Sequence, residues 1–359
     1  MKHRWLRRIL ILLAAFALCA GMVFYTRERP QPKAECLTLW YTESDFSPAV
    51  MDGLLAQCLK ETGLQLTATA FPDEVSLGEA FEDSAPDLLF CSHIRAAQLD
   101  SRESLASISK ALPVPDSLSE VRPSVGSSFF PIGYSLPVLL VNTALTAGNF
   151  DSPEAMLNAS ANGPVLVCGQ RAELLHTLAS ANGIRLSGIP DQDRADPKTA
   201  APYNQMALAV FHGTLVFREN AVEYVRQGLV PAAVTVSTAL ANLTGENLEV
   251  QLFPLPKGAE RQYPAELFGF ALLEGANTKA AADFFQWLWN GRGAETALKA
   301  GLAPALSANA ANRSSSSFEK LLISAAEGGA LSLPDMDDPF FRNRHSCDQW
   351  LCEALDLLT

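Results

Sequence analysis

The chain has 359 residues, enough for two lobes with separate cores, and its 48% hydrophobic and 18% charged residues are typical of a globular protein. The formal charge is −12. Setting aside the seven Lys/Arg and single Glu of residues 1–33 leaves 20 basic and 38 acidic groups, a net of −18 that repels phosphate backbones and argues against nucleic acid as a partner.

Lys2, His3, Arg4, Arg7 and Arg8 precede Ile9–Tyr25, an uncharged apolar run of 17 residues. As a helix it would span about 25 Å, near the short limit for a bilayer. Basic residues before it and an acidic body after it place the N-terminus inside and the body outside. Residues 1–26 are read as a signal peptide or membrane anchor, and 27–35, with Pro30 and Pro32, as a tether. Three fates stay open: lipidation of Cys19, plain cleavage, or retention as an anchor. All three export the body.

Beyond the tether, strand and helix patterns alternate. Leu37–Thr42 alternates like a strand, Ser47 and Pro48 suit a helix start, and Val50–Leu59 carries one apolar face that ends at Gly63. Leu64–Ala70 alternates again, which completes a βαβ unit. A short helix around Leu77–Phe81 leads to a buried strand over Pro86–Cys91, followed by Ser92-His93-Ile94-Arg95. Then comes Gly126–Leu145, whose run Val138–Val141 reads as a buried strand carrying the chain from one α/β lobe to the next.

The alternation restarts with a strand over Pro164–Cys168 and a helix over Arg171–Asn182. Asp191–Pro202 reads as a polar insertion ahead of helical segments near Asn204–Leu215 and Glu219–Gln227. Strands follow at Gly228–Ser237, Leu248–Phe253 and Phe268–Leu273, then a helix from Asn277 through Asn290. The tail is helical around Phe318–Ala326, then Pro-rich, then amphipathic to Leu358.

This series resembles the extracellular solute-binding proteins of bacterial ABC importers, in the carbohydrate-type, maltose-binding-protein-like branch. The resemblance is carried by LTLWYTE at the first strand, PDLLFCSHIRAAQL, YSLPVLLVNTAL at the crossing, GLVPAAVTVSTALANL, LFGFALLEGANTKAAADFFQWLW, GLAPA and the C-terminal GGALSLPDMDDPFF…WLCEAL. It implies an α/β, two-lobe periplasmic-binding-protein-like (type II) fold, each lobe a mixed sheet flanked by helices. The implied lobes are 36–141, 142–256, a return at 257–303, and C-terminal helices at 304–359 packing mainly on the second lobe. The implied function is capture of a small solute, first of all a carbohydrate, in an interlobe cleft and its delivery to permease subunits by a monomer held at the outer membrane face.

A sugar offers an apolar ring face edged with hydroxyls, so aromatic planes and carboxylates are the expected contacts. Trp40, Tyr41, Glu43 and Asp45 supply both in one strand end and loop. Strand alternation puts Trp40 and Tyr41 on opposite faces. Ser92 and His93 follow a strand end, Tyr134 lies where both lobes are within reach, and Thr235 and Ser237 end a second-lobe strand. Phe268 on the returning strand and Phe340, where the family carries a cleft aromatic, complete the candidates.

Rival readings are a non-sugar solute such as a polyamine, amino-acid derivative or anion, and a sensing ectodomain with a separate signalling partner. The sequence contains no HExxH, GxSxG, P-loop or GxGxxG pattern, so neither catalysis nor a cofactor is expected. The seven cysteines make no CxxC pair, so no metal is expected either; Cys347–Cys352 and Cys36–Cys58 remain open as disulfides.

Overall fold

The computed structural model describes residues 36–100, 104–108, 128–146, 150–158, 163–256, 263–306, 316–327, 331–332 and 338–358. The N-terminal segment at 1–26, Cys19 and the tether at 27–35 lie outside the described residues.

The chain opens with β1 (Cys36–Thr42), α1 (Pro48–Thr62), β2 (Gln65–Phe71), α2 (Glu74–Asp83), β3 (Leu88–Ser92) and α3 (His93–Asp100). The start and end of α1 follow local chemistry: Pro48 occupies the first turn, and Gly63 closes the helix at φ 75°. The crossing is made by two strands, β4 (Phe129–Ser135) and β5 (Pro137–Asn142), divided at Leu136. β5 belongs wholly to the second sheet, so the lobes part at Leu136 and not after Val141.

The second lobe continues through α4 (Pro153–Leu157), β6 (Val165–Val167), α5 (Arg171–Ala181), α6 (Pro190–Ala195), α7 (Pro197–Phe211), β7 (Leu215–Phe217), α8 (Ala221–Arg226), β8 (Ala232–Val236) and β9 (Leu248–Leu252). The stretch that reads as a polar insertion is helical. Pro190 and Pro197 stand in the first turns of α6 and α7, and the Asp196 carboxylate caps α7 by accepting from the Lys198 N–H at 2.8 Å. Leu215, expected in a helix, instead starts β7.

The chain returns through β10 (Tyr263–Pro264) and β11 (Glu266–Leu272), α9 (Thr278–Trp287), α10 (Gly293–Lys299) and β12 (Ala303–Pro304). It ends with α11 (Ser317–Glu327), β13 (Leu331–Ser332) and α12 (Pro339–Asp356). The first sheet has the order β12-β4-β11-β3-β1-β2 and the second β7-β6-β8-β5-β9, both mixed and flanked by helices. This is the two-lobe periplasmic-binding-protein-like architecture.

Helices cover both faces of each sheet at its centre. In the first lobe α1, α9 and α10 cover one face around Met51, Leu54, Phe284 and Phe285, while Leu77, Ala96 and Leu99 of α2 and α3 cover the other. In the second, α5, α7 and α12 pack on Leu139, Val141 and Val165, and α8 with α11 packs on Val138, Leu140 and Leu166. Burial on both faces is why β3 and β5 read as unbroken apolar runs, whereas β1 and β2 toward the sheet edge alternate. Asp87 ties the first lobe together. Its carboxylate accepts from the Thr38 N–H and hydroxyl, each at 2.8 Å, and from the Asn277 N–H at 3.1 Å, joining β1 to the start of α9. All six described cysteines are free thiols, so neither Cys347–Cys352 nor Cys36–Cys58 is a disulfide; Cys58 is buried in α1, whereas Cys36 is exposed at the start of β1.

Gly269 in β11 lies opposite Pro131 of β4, where the register shifts. Proline cannot donate to the ladder, and the shift accommodates it. The two backbones approach so closely that a Cβ on Gly269 would overlap the Phe130 carbonyl. Gly269→Ala is therefore expected to destabilise the protein by about 2 kcal/mol. Urea unfolding checks this, and an unchanged midpoint would contradict the packing described.

Candidate functional site

The carboxyl ends of β1, β3 and β8, the start of β11 and the β4–β5 crossing converge between the lobes. In open α/β sheets such strand ends are where ligands bind. A narrow cavity of about 90 Å³ lies there, lined from the crossing by Ser135 and Pro137 and from the returning strand by Ala265 and Glu266. The second lobe contributes Val236, Glu173, His176 and Thr177, together with Phe340, Phe341 and Arg344 of α12. A wider cavity of about 1000 Å³ separates α1 from the 240–250 segment and the first turn of α11. Its walls mix aliphatic residues with polar ones such as Gln57, Asn242, Glu249 and Lys299, and no strand end of β1, β3 or β8 opens into it. The narrow cleft is the better candidate.

Local folding explains how each polar group reaches it. After β1 the chain turns back, with the Phe46 N–H donating to the Thr42 carbonyl at 3.1 Å, which leaves Asp45 half-buried at the first lobe's edge. Because β11 runs antiparallel to β3, its first residue comes to the edge where β3 ends: Phe268 pairs with Ser92 and Glu266 with Ser135. Glu173 and His176 lie one turn apart near the start of α5, and Arg344 extends from α12 with Nη1 3.8 Å from Glu173 Oε1.

These groups perturb one another. Burial pushes the Glu266 carboxyl up to about 7, against the pull of the Arg344 guanidinium; Asp45 pushes it further, while a hydrogen bond to Ser92 opposes the rise. Burial likewise raises Asp45 to about 6, opposed by a hydrogen bond with Thr42 and reinforced by Glu74. Glu173 is raised by burial and drawn back by Arg344. His176 is held down at about 4, by burial first and then by Arg344, so it is neutral at physiological pH. Its ring stacks on Phe340 at 4.7 Å and meets the edge of Phe341 at 5.0 Å. The cavity is therefore lined by one carboxyl group from each lobe, Glu266 and Glu173, with Asp45 near enough to act on Glu266, and by one guanidinium and an aromatic surface. That set can accept from hydroxyl or ammonium donors and cover an apolar ring face.

The residues singled out from the sequence divide by position. Asp45, Ser92 and Phe340 meet in or beside the cleft, with Phe340 1% exposed and its ring stacked on His176. Tyr134 is half-buried and packs against the cores of both lobes. Glu43 is exposed, its N–H donating to the Phe71 carbonyl at 2.8 Å.

The others are taken up by packing. Trp40 lies against Phe71 and Phe81 at 5.1 and 5.2 Å, on the face opposite Tyr41, which is 3% exposed among core residues. Phe268 stacks on Phe90. Buried His93 accepts from the Leu267 N–H at Nδ1, 3.2 Å away. Thr235 is buried beside Cys168, and Ser237 is spent on the crossing, its hydroxyl accepting from the Leu136 N–H at 3.1 Å. Sequence reading missed Glu173, His176, Glu266 and Arg344. Only Glu266 left a signal, as the lone acid at the head of the apolar run Leu267–Leu273.

No family model matches the sequence, and no curated protein matches it. Solved structures do match in fold. The GacH receptor of Streptomyces glaucescens, whose structures include complexes with acarbose and an acarbose homolog, is 15% identical, with a TM-score of 0.74 over 91% of this chain and 94% of that one. PotD, the spermidine/putrescine ABC transporter substrate-binding protein of Streptococcus pneumoniae, is 13% identical, with a TM-score of 0.66 over 89% and 99%. A Listeria monocytogenes protein provisionally named a spermidine/putrescine ABC transporter is 14% identical, with a TM-score of 0.60 over 89% and 99%.

Since Glu266 titrates in the folded protein near 7, above its ordinary carboxylate value, the fold binds more protons than the unfolded chain between those limits. The stability contributed by Glu266 is then fully present at low pH and is lost as pH rises through about 7. Glu266→Gln removes that component, so melting temperatures of the variant are expected to fall less between acid and neutral pH than those of the wild type. Parallel pH curves for the two proteins would show that Glu266 is not held protonated.

Proposed function

We propose that this chain is the extracytoplasmic substrate-binding component of an ABC transporter. It captures a small solute between the lobes and presents it to permease subunits by hinge closure; it is not an enzyme. The observation that carries this reading is the convergence of strand ends and carboxylates from both lobes on one cleft, within a fold shared with such receptors. Closure follows from ligand contacts available only when the lobes meet, because a solute shifts the equilibrium only by its differential affinity for the closed form. The N-terminal apolar run would export the body and, if retained or lipidated at Cys19, hold it at the membrane.

For the solute, a carbohydrate suits the pairing of aromatic surface (Phe340, Phe341, His176) with hydroxyl-accepting carboxylates. A polyamine is the second reading, favoured by the count of charges: Glu173 and Glu266 line the cavity and Asp45 lies beside Glu266, against one guanidinium. The structural neighbours support both equally. An anion is disfavoured by the same count.

A thermal-shift panel on the full chain separates these readings, with maltotriose, spermidine and citrate as probes. A solute at about 100 times its dissociation constant adds about 2.7 kcal/mol, a melting shift of several degrees. A shift with maltotriose alone supports the carbohydrate; a shift with spermidine alone replaces it with the polyamine. If no member of a widened sugar and polyamine panel shifts the melt, the solute-binding reading loses its support.

A further inference from the structure

We propose that Arg344 is an internal counter-cation that latches the lobes together when the cleft holds no solute, so that an incoming solute competes with it for the carboxylates of both lobes. Arg344 belongs to α12, whose buried residues Phe340, Cys347 and Leu351 lie in the second lobe's core. Two of the carboxylates it acts on, Asp45 and Glu266, belong to the first lobe; the third, Glu173, belongs to the second. At 3.8 Å its separation from Glu173 is too long for a hydrogen bond. A guanidinium committed to Glu173 alone would form a bidentate pair near 2.8 Å. This one stands where its charge is shared between the lobes, inside a cavity of about 90 Å³ that also contains Glu266.

Among the described residues that line the cavity, Arg344 is the one Lys or Arg. Facing the first-lobe carboxyls are Glu74 of α2, Cys91 of β3, and His93 and Arg95 of α3. Arg95 is directed elsewhere, with Nη1 3.4 Å from Gln98 Oε1. On the second-lobe side are neutral His176 and Asp348, the latter adding negative charge near Glu173. Without Arg344 the cavity would hold Glu173 and Glu266, with Asp45 beside Glu266, and no other Lys or Arg among its described lining residues.

That arrangement fixes the sign of the pH dependence. In the structure burial raises the pKa of Glu266 and Asp45; under this proposal the facing lobe supplies part of that burial, so the closed form binds more protons than an open one and rising pH favours opening. Arg344 opposes that trend. Its removal should therefore cost little in acid and much once the carboxyls ionise. A guanidinium that merely decorated the second lobe would leave lobe closure unchanged at every pH.

The test uses the full-length chain in detergent without added solute, with donor and acceptor dyes on noncanonical residues at exposed Glu82 of α2 and exposed Phe211 of α7. Because no solute is present, its outcome is independent of the thermal-shift panel that tests the solute-binding reading. Arg344→Gln is expected to match the wild type's energy transfer at about pH 5 and to fall at least about twofold below it at about pH 8. Arg344→Lys should retain most of the transfer, and the double variant Arg344→Gln/Glu266→Gln should recover it. Equal transfer in Arg344→Gln and wild type at the higher pH overturns the proposal, as does an equal loss at both. Should Arg344→Gln unfold, the wild type is compared in about 0.05 M and about 0.5 M salt at the higher pH, where an ion-held latch opens with salt and unchanged transfer overturns the proposal.

Discussion

Both lobes depend on one backbone contact at the crossing. Where β4 gives way to β5, the Leu136 N–H donates to the Ser237 hydroxyl, and the Ser237 N–H donates to the Leu136 carbonyl at 2.8 Å. On the other side of Ser237, Gly301 comes so close that a Cβ would lie 2.5 Å from the Ser237 carbonyl oxygen. Gly301 also has φ +72°, a conformation that L side chains rarely adopt. The end of β8, the crossing and the turn before β12 are thus drawn to one point, with Leu136 and Ser237 both fully buried.

The cleft built around that anchor is electrostatically expensive. Asp45, Glu173 and Glu266 all lose solvation there, and one guanidinium serves all three. Burying like charges without full compensation destabilises a protein, and such sites persist where something other than stability is served. The contrast with Asp193 is instructive. It is 4% exposed, but it accepts from the Ser187 and Gly188 N–H groups at 2.8 and 3.1 Å and from the Tyr203 hydroxyl at 3.0 Å. That carboxylate is fully provided for by its own lobe. Those of the cleft are not, which separates a structural acid from a candidate binding acid.

The division of labour among residues was only partly legible in the sequence. Elements declared themselves where local chemistry decides: Ser47-Pro48 and Gly63 bracket α1, and the apolar runs at Leu88–Ser92 and Pro137–Asn142 are strands because both faces are covered. The misreading at Asp191–Pro202 arose because polarity was taken for a loop, although Pro190, Pro197 and Asp196 are first-turn and capping residues. Site residues were harder, because their positions depend on pairings between distant segments. Ser237 ends a strand at the cleft edge, as a ligand contact would, but its hydroxyl is taken by Leu136, 101 positions away. Glu266 enters the cleft only because β11 runs antiparallel to β3, a fact with no local signature. Arg344 and Glu173 meet because α12 packs on α5, and nothing in either segment names the other.

The crossing at Leu136 also governs the order in which the molecule can assemble. The second sheet draws all five strands from one uninterrupted stretch, Pro137 to Leu252. The first has β3 beside β11 and β4 beside both β11 and β12, so its middle is missing until residues 266–304 are available. As the chain emerges from its N-terminus, β1, β2 and β3 form a parallel trio with an open edge, waiting on a partner more than a hundred residues downstream. The second sheet completes first, but its cover does not: α11 and α12, which pack on its two faces, lie beyond β12, so the second lobe's core closes only once the C-terminal helices are available.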